Sequence, residues 1–141
     1  KNISSVLMMS MVGAIVCYFV VAISPNAVLS LIACVLVGIC TSMLWPGTLI
    51  LMEKKVPAVG VAAYALMAAG GDFGASFAPQ TLGIVVDKIS VTEWATTLGN
   101  HLSLTPEQVG FKFGMLIATI FPILGVILLI YMKNHFKKVQ E

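Results

Sequence analysis

Arginine is missing altogether from this chain of 141 residues, so its eight Lys+Arg positions are all Lys. That excludes a bidentate guanidinium clamp for a carboxylate or phosphate within these residues. Charge of either sign is scarce, at 10% of residues, where a soluble domain carries about a quarter. With 59% hydrophobic residues and a mean hydropathy of +1.01, the composition excludes a soluble enzyme. A formal charge of +2, with no basic cluster before the C-terminal tail, is too small to hold nucleic acid by its phosphates. Cysteine is limited to Cys17, Cys34 and Cys40, scattered in apolar runs without CxxC spacing, which fits small buried hydrophobes rather than metal or redox ligands. No nucleophile–base pair or metal-ligand spacing occurs, so neither an enzyme nor a metal site is expected.

What the chain has in abundance is long apolar runs. Four reach the ~20 residues needed to cross a ~30 Å hydrocarbon core: about 3–23, 27–52, 58–86 and 111–132. Together they predict one all-α integral membrane domain over 1–141. The breaks between them are chemically plain. "SPN" at 24–26 is a tight turn, with Pro stopping one helix and Ser and Asn able to cap the next. "EKKVP" at 53–57 ends the second run with charge, and Pro57 suits the first turn of the third. The first run plunges into the membrane two residues after Lys1, a non-Met start, which leads to the expectation that the chain is part of a longer polypeptide.

Lysines orient the spans. Lys1, Lys54, Lys55, Lys133, Lys137 and Lys138 fall on the side shared by both ends, against only Lys88 and Lys112 on the other. Both ends are therefore expected in the cytoplasm, in a plasma or inner membrane. The outer loop, 87–110, carries signals of its own. Ser90-x-x-Glu93 matches a capping box, and Val91, Trp94, Leu98 and Leu102 follow at near-helical spacing. A short surface helix anchored by Trp94 is expected there. Thr105-Pro-Glu-Gln108 is a second capping box, with Pro at the first helical position. His101 is expected as a solvated loop residue.

The spans differ in polarity. The first and last are almost uniformly apolar and are expected on the lipid side. On a wheel of ~100° per residue, the third puts Asp72, Ser76, Pro79, Gln80, Gly83 and Asp87 on one side. Ala63, Gly70, Gly74 and Thr81 share another, where small residues admit a neighbouring helix closely. Leu66, Phe73, Phe77 and Ile84 form a flank suited to lipid.

Asp72 lies near mid-span, where an ionised carboxylate costs ~2.5–3.5 kcal/mol on insertion scales. No basic residue in these spans sits at that depth. The acid then carries a proton, binds a cation such as sodium, or meets a partner outside the chain; a purely structural acid held by hydroxyls such as Ser76 is the alternative. In the second span Pro46 frees the carbonyl of Ser42, predicting a kink. Thr41, Ser42, Trp45 and Thr48 share a face there, and an indole beside hydroxyls offers a stacking platform for a sugar, an aromatic group or a cation; gap filling is the alternative. Pro79 and Pro122 are further candidate hinges. The candidate substrate- or ion-binding set is Asp72, Trp45, Ser76, Gln80 and Thr41.

The order of features resembles helices nine to twelve of a major facilitator superfamily transporter. The likeness rests on the outer turn "SPN", the kinked "MLWPGTL" helix before a charged inner loop, the "AAGGDFGASFAPQTLGIVVD" helix, a longer outer loop and a lysine-tailed last helix. "WPGT" and the small-residue helix are similar to the sugar and fucose-permease-like branch. The resemblance implies part of a C-terminal six-helix bundle that rocks against an N-terminal bundle of the same polypeptide. Its implied partners are the bilayer and a small solute such as a sugar or organic anion, moved by alternating access. No cofactor is implied beyond a coupling proton or sodium ion. Two other readings stay open: a complete four-helix multidrug-type exporter acting as a dimer, and a non-transporting membrane scaffold subunit.

Overall fold

The computed structural model describes residues 2–56, 58 and 60–138. They form seven helices with no strand among the described residues: α1 (Ile3–Ile23), α2 (Ala27–Ser42), α3 (Leu44–Lys55), α4 (Val61–Ser90), α5 (Glu93–Leu102), α6 (Pro106–Ala118) and α7 (Ile120–Lys138). Three apolar stretches are long enough to cross a membrane: Ile3–Ile23, Ala27–Lys55 and Pro106–His135, of 21, 29 and 30 residues. At 30 residues α4 is long enough, yet it is not among the three. Gly70, Gly71, Asp72, Gly74, Ser76 and Gln80 dilute its apolar content.

Two of the three stretches are divided in the same way. Pro46 has no N–H, and its ring crowds the carbonyl four residues back. The helix accordingly stops at Ser42, passes through Met43 and restarts at Leu44. Pro122 repeats the offset: α6 stops at Ala118, Thr119 is the joint, and α7 starts at Ile120. Thr119 is buried, and its hydroxyl donates to the Met115 carbonyl at 3.0 Å. Pro79 behaves otherwise. It lies inside an unbroken α4, so no joint like those at Met43 and Thr119 forms there.

The helix ends show which capping signals prevail. Asn26 caps α2, its Oδ1 accepting from the N–H of Val28 at 2.9 Å and of Leu29 at 3.4 Å. The Thr105–Gln108 capping box is complete, with reciprocal bonds of 3.3 and 3.0 Å. The Ser90 box does not form, because α4 continues to Ser90 and Thr92 becomes the N-cap of α5. The 87–110 segment, expected as a loop, is thus mostly helical, with irregular backbone confined to 91–92 and 103–105. Trp94 in α5 meets Phe113 edge to face at 4.9 Å between ring centroids. At the other end α4 begins at Val61 with Gly60 as N-cap; the opening role expected of Pro57 lies outside the described residues.

The expectation that the first span faces lipid is corrected. Unbroken α1 packs against α2, α3, α6 and α7, with Leu7, Ala14 and Val21 buried at seven-residue spacing. Leu7 joins Leu51 and Leu129 in a core cluster flanked by Ile3, Met8, Leu44 and Met132. Glycines set the approach distances. A Cβ at Gly13 would lie 2.9 Å from Cys40 Sγ, and one at Gly47 would lie 2.6 Å from Leu7 Cδ2. Between apolar helices in an apolar solvent, such close van der Waals contact is the main attraction available.

Candidate functional site

α4 presents Asp72, Ser76 and Gln80 one turn apart, and all three are exposed. No residue of α4 is buried. The helix is held chiefly by α6, with close contacts at Leu82 and Val86 in its C-terminal half. A Cβ at Gly110 would lie 2.8 Å from the Val86 carbonyl oxygen, and one at Gly114 would lie 2.5 Å from Leu82 Cδ1. The clearance therefore comes from α6, not from the small face of α4. Nothing among the described residues lies within 4 Å of a Cβ built at Gly70 or Gly74, so the close helix approach expected at that face does not occur among them. Phe73 and Phe77 stack on each other with centroids 5.8 Å apart and remain exposed.

Around Asp72 the hydrogen bonds discriminate between roles. The Ser76 hydroxyl donates to the main-chain carbonyl of Asp72 at 2.8 Å. It bonds back to its own helix and does not hold the carboxylate. Among the described residues nothing bonds or pairs with that carboxylate. In this structure the Ser76 hydroxyl is therefore engaged with main chain and not with the acid. The carboxylate points from an open helix face with its full acceptor capacity intact.

Trp45 is brought to this place. A Cβ on Gly71 would lie 2.9 Å from Trp45 Cζ3, 3.5 Å from Cη2 and 3.7 Å from Cε3. Only a glycine lets the indole rest against the α4 backbone beside Asp72. The ring is still 48% exposed, so one part packs while the rest stays open. Thr41 is half-buried on the other side of the Met43 joint. Its hydroxyl donates to the carbonyls of Val37 and Gly38 at 2.9 and 3.2 Å. Ser42 and Thr48 likewise bond within their own helices, to Ile39 at 2.7 Å and Trp45 at 2.8 Å. These hydroxyls satisfy carbonyls around the broken helix, and their lone pairs remain available. Among the described residues no hydrogen bond joins Thr41 or Trp45 to Asp72, Ser76 or Gln80. The structure thus brings Trp45 to the Asp72 segment by packing and leaves Thr41 on its own helix.

Sequence reasoning missed Lys112, which makes a polar contact between distant helices. Its ammonium, on α6, donates to the Val21 carbonyl at 3.2 Å and to the Ser24 carbonyl. Carbonyls at a helix C-terminus lack intrahelical donors and carry the negative end of the dipole; a cation there answers both. The available signal was a lone lysine in an apolar segment, with no acid or base in the last turn of α1. Lys112 also borders a cavity of about 670 Å³, shared with Ser24, Cys34, Val86, Glu107 and Phe111. None of the five candidate residues lines that cavity or its neighbour of about 210 Å³. Comparison with protein-family models, curated proteins and solved structures finds no match for this chain.

Proposed function

We propose that this chain supplies helices nine to twelve of a major facilitator superfamily secondary transporter. In this reading α1, the α2–α3 pair, α4 and the α6–α7 pair are four spans, and both ends face the cytoplasm. The transporter moves a small solute such as a sugar or organic anion by alternating access, coupled to protons or sodium. Asp72 is the coupling group, Trp45 a stacking surface for solute, and Ser76 and Gln80 extend the polar lining.

The observation that carries this reading is the uncovered acidic face of α4. In a chain otherwise built of apolar helices, a carboxylate without a partner stands on a face that no other described element covers. Lipid cannot cover it, because an ionised Asp in hydrocarbon costs ~2.5–3.5 kcal/mol or more. A water-lined cavity against a second bundle can. The helix also has the reach: 30 residues at 1.5 Å each give ~45 Å, enough to span the core with both ends in headgroups.

The test uses the intact transporter in proteoliposomes. Asp72→Asn is expected to abolish gradient-driven accumulation while leaving solute exchange at equilibrium. Accumulation that persists with unchanged pH and sodium dependence would remove Asp72 from coupling. A solute-independent arm labels single cysteines with a membrane-impermeant maleimide in a background free of the native cysteines. Ser76→Cys and Gln80→Cys are expected to react, Phe73→Cys and Phe77→Cys to resist; the opposite pattern overturns the cavity assignment.

A further inference from the structure

The start of α1, the end of α3 and the 129–133 stretch of α7 border a cavity of about 350 Å³, within the range of small-molecule pockets, ~300–1,000 Å³. Its rim carries Lys54 and Lys55 from the last turn of α3, Lys133 from α7, and Ser4 and Ser5 from the first turn of α1. Its floor is apolar, formed by Leu51, Leu129 and Met132 of the core cluster. No acid is among the described residues lining it.

The α1 end of this cavity is electrostatically open. Asn2 occupies the N-cap position but makes no side-chain cap bond, and the first turn contains no acid. The Asn2 carbonyl accepts from the N–H of Ser5 and Val6, which leaves the earlier N–H groups as the orphan donors of a helix start. The positive end of the α1 dipole therefore faces the same space as three ammonium groups. Lys54 and Lys55 also complement the C-terminal dipole of α3, but that explanation does not reach Lys133. α7 continues past it to Lys138.

A cationic rim over an apolar floor, bordered by three helices, matches an amphiphile with an anionic head. We propose that this cavity binds the headgroup of an anionic phospholipid. Its phosphate lies between Lys54, Lys133 and the first turn of α1, and its glycerol and upper acyl carbons lie against Leu51, Leu129 and Met132. Pockets of this kind between helices at a membrane surface hold phosphate headgroups by charge and hydrogen bonding together. The inference needs only that the helices lie in a membrane, and it is independent of the transport reading.

The experiment measures lipid retention by the full chain in nanodiscs of mixed phosphatidylglycerol and phosphatidylcholine, released into detergent and read by native mass spectrometry. The chain is expected to retain phosphatidylglycerol preferentially. The Lys54→Gln/Lys133→Gln variant should lose that preference by on the order of 20-fold, at about fivefold per lysine. Lys137→Gln/Lys138→Gln removes the same charge from the tail and should keep it. Lys133→Arg, which preserves the charge, should also keep it, and circular dichroism confirms that each variant is folded. Equal loss in the tail variant would mean diffuse surface attraction and would overturn the site, as would a preference surviving in Lys54→Gln/Lys133→Gln. Displacement of the lipid by millimolar inorganic phosphate would assign the cavity to free phosphate instead.

Discussion

Gly110→Ala is the most direct test of how the acidic helix is held. A methyl group at 110 would sit 2.8 Å from the Val86 carbonyl oxygen and 3.4 Å from Val86 Cα and Cγ1. The nearest obstacle is main chain, so no rotamer change relieves it. To restore a carbon–oxygen contact of ~3.3–3.6 Å, α4 and α6 must part by about half an ångström. A gap of that order forfeits roughly a quarter of the dispersion attraction along the contact. Overpacking of this kind costs ~1–3 kcal/mol, and the better helix propensity of Ala returns up to ~1 kcal/mol. The net expectation is a loss of about 1–2 kcal/mol.

Gly114→Ala is the internal comparison. Its methyl would lie nearer its neighbour, 2.5 Å, but that neighbour is Leu82 Cδ1, the tip of a side chain that can rotate. The closer clash is therefore expected to cost less, under about 1 kcal/mol. Unfolding of both variants in micelles by denaturant, followed by far-ultraviolet circular dichroism, measures the difference. If Gly114→Ala is the more damaging, or Gly110→Ala is neutral, the α4–α6 contact described above is wrong.

Two further outcomes are expected. Ser103 closes α5 in the left-handed region, with φ 56° and ψ 39°, while the Leu104 N–H bonds back to Gly99 at 2.9 Å; Ser103→Gly relieves that conformation and should raise stability by roughly 0.5–1 kcal/mol, seen as a higher melting temperature. Lys112→Met keeps the stem but removes the donor from the carbonyls of Val21 and Ser24; it should cost ~1.5–3 kcal/mol and speed hydrogen exchange in the 24–29 turn, and unchanged exchange there would deny the latch.

The helical character and the apolar stretches were legible because length and hydropathy carry them directly. So were the caps at Asn26 and Thr105, where a short side chain at the right spacing meets an orphan N–H. The break before Pro46 was legible for the same local reason. Pro79 shows the limit of that rule: the same residue type yields a joint in one helix and none in another. The Ser90 box failed because α4 continued through it, a contest between overlapping helices that a four-residue motif cannot see. The central place of α1 was hidden for a deeper reason. In a bilayer a helix facing lipid and one facing other helices are both apolar, so the uniform run of Ile3–Ile23 carried no mark of its neighbours. The Asp72 face was legible as a periodic polar stripe, and Trp45 as an indole within an apolar run. Their meeting at Gly71 was not, since it depends on how two separate helices lie.

The matched joints at Met43 and Thr119 have a mechanical consequence. Each divides a long span into two stiff rods, and all four rods rest on the single continuous α1. α1 acts as a splint laid across both joints. A bend at one joint tilts a rod along that splint, and the rods of the other span share the same support. Any bend at either joint must therefore be accommodated against the same α1 surface.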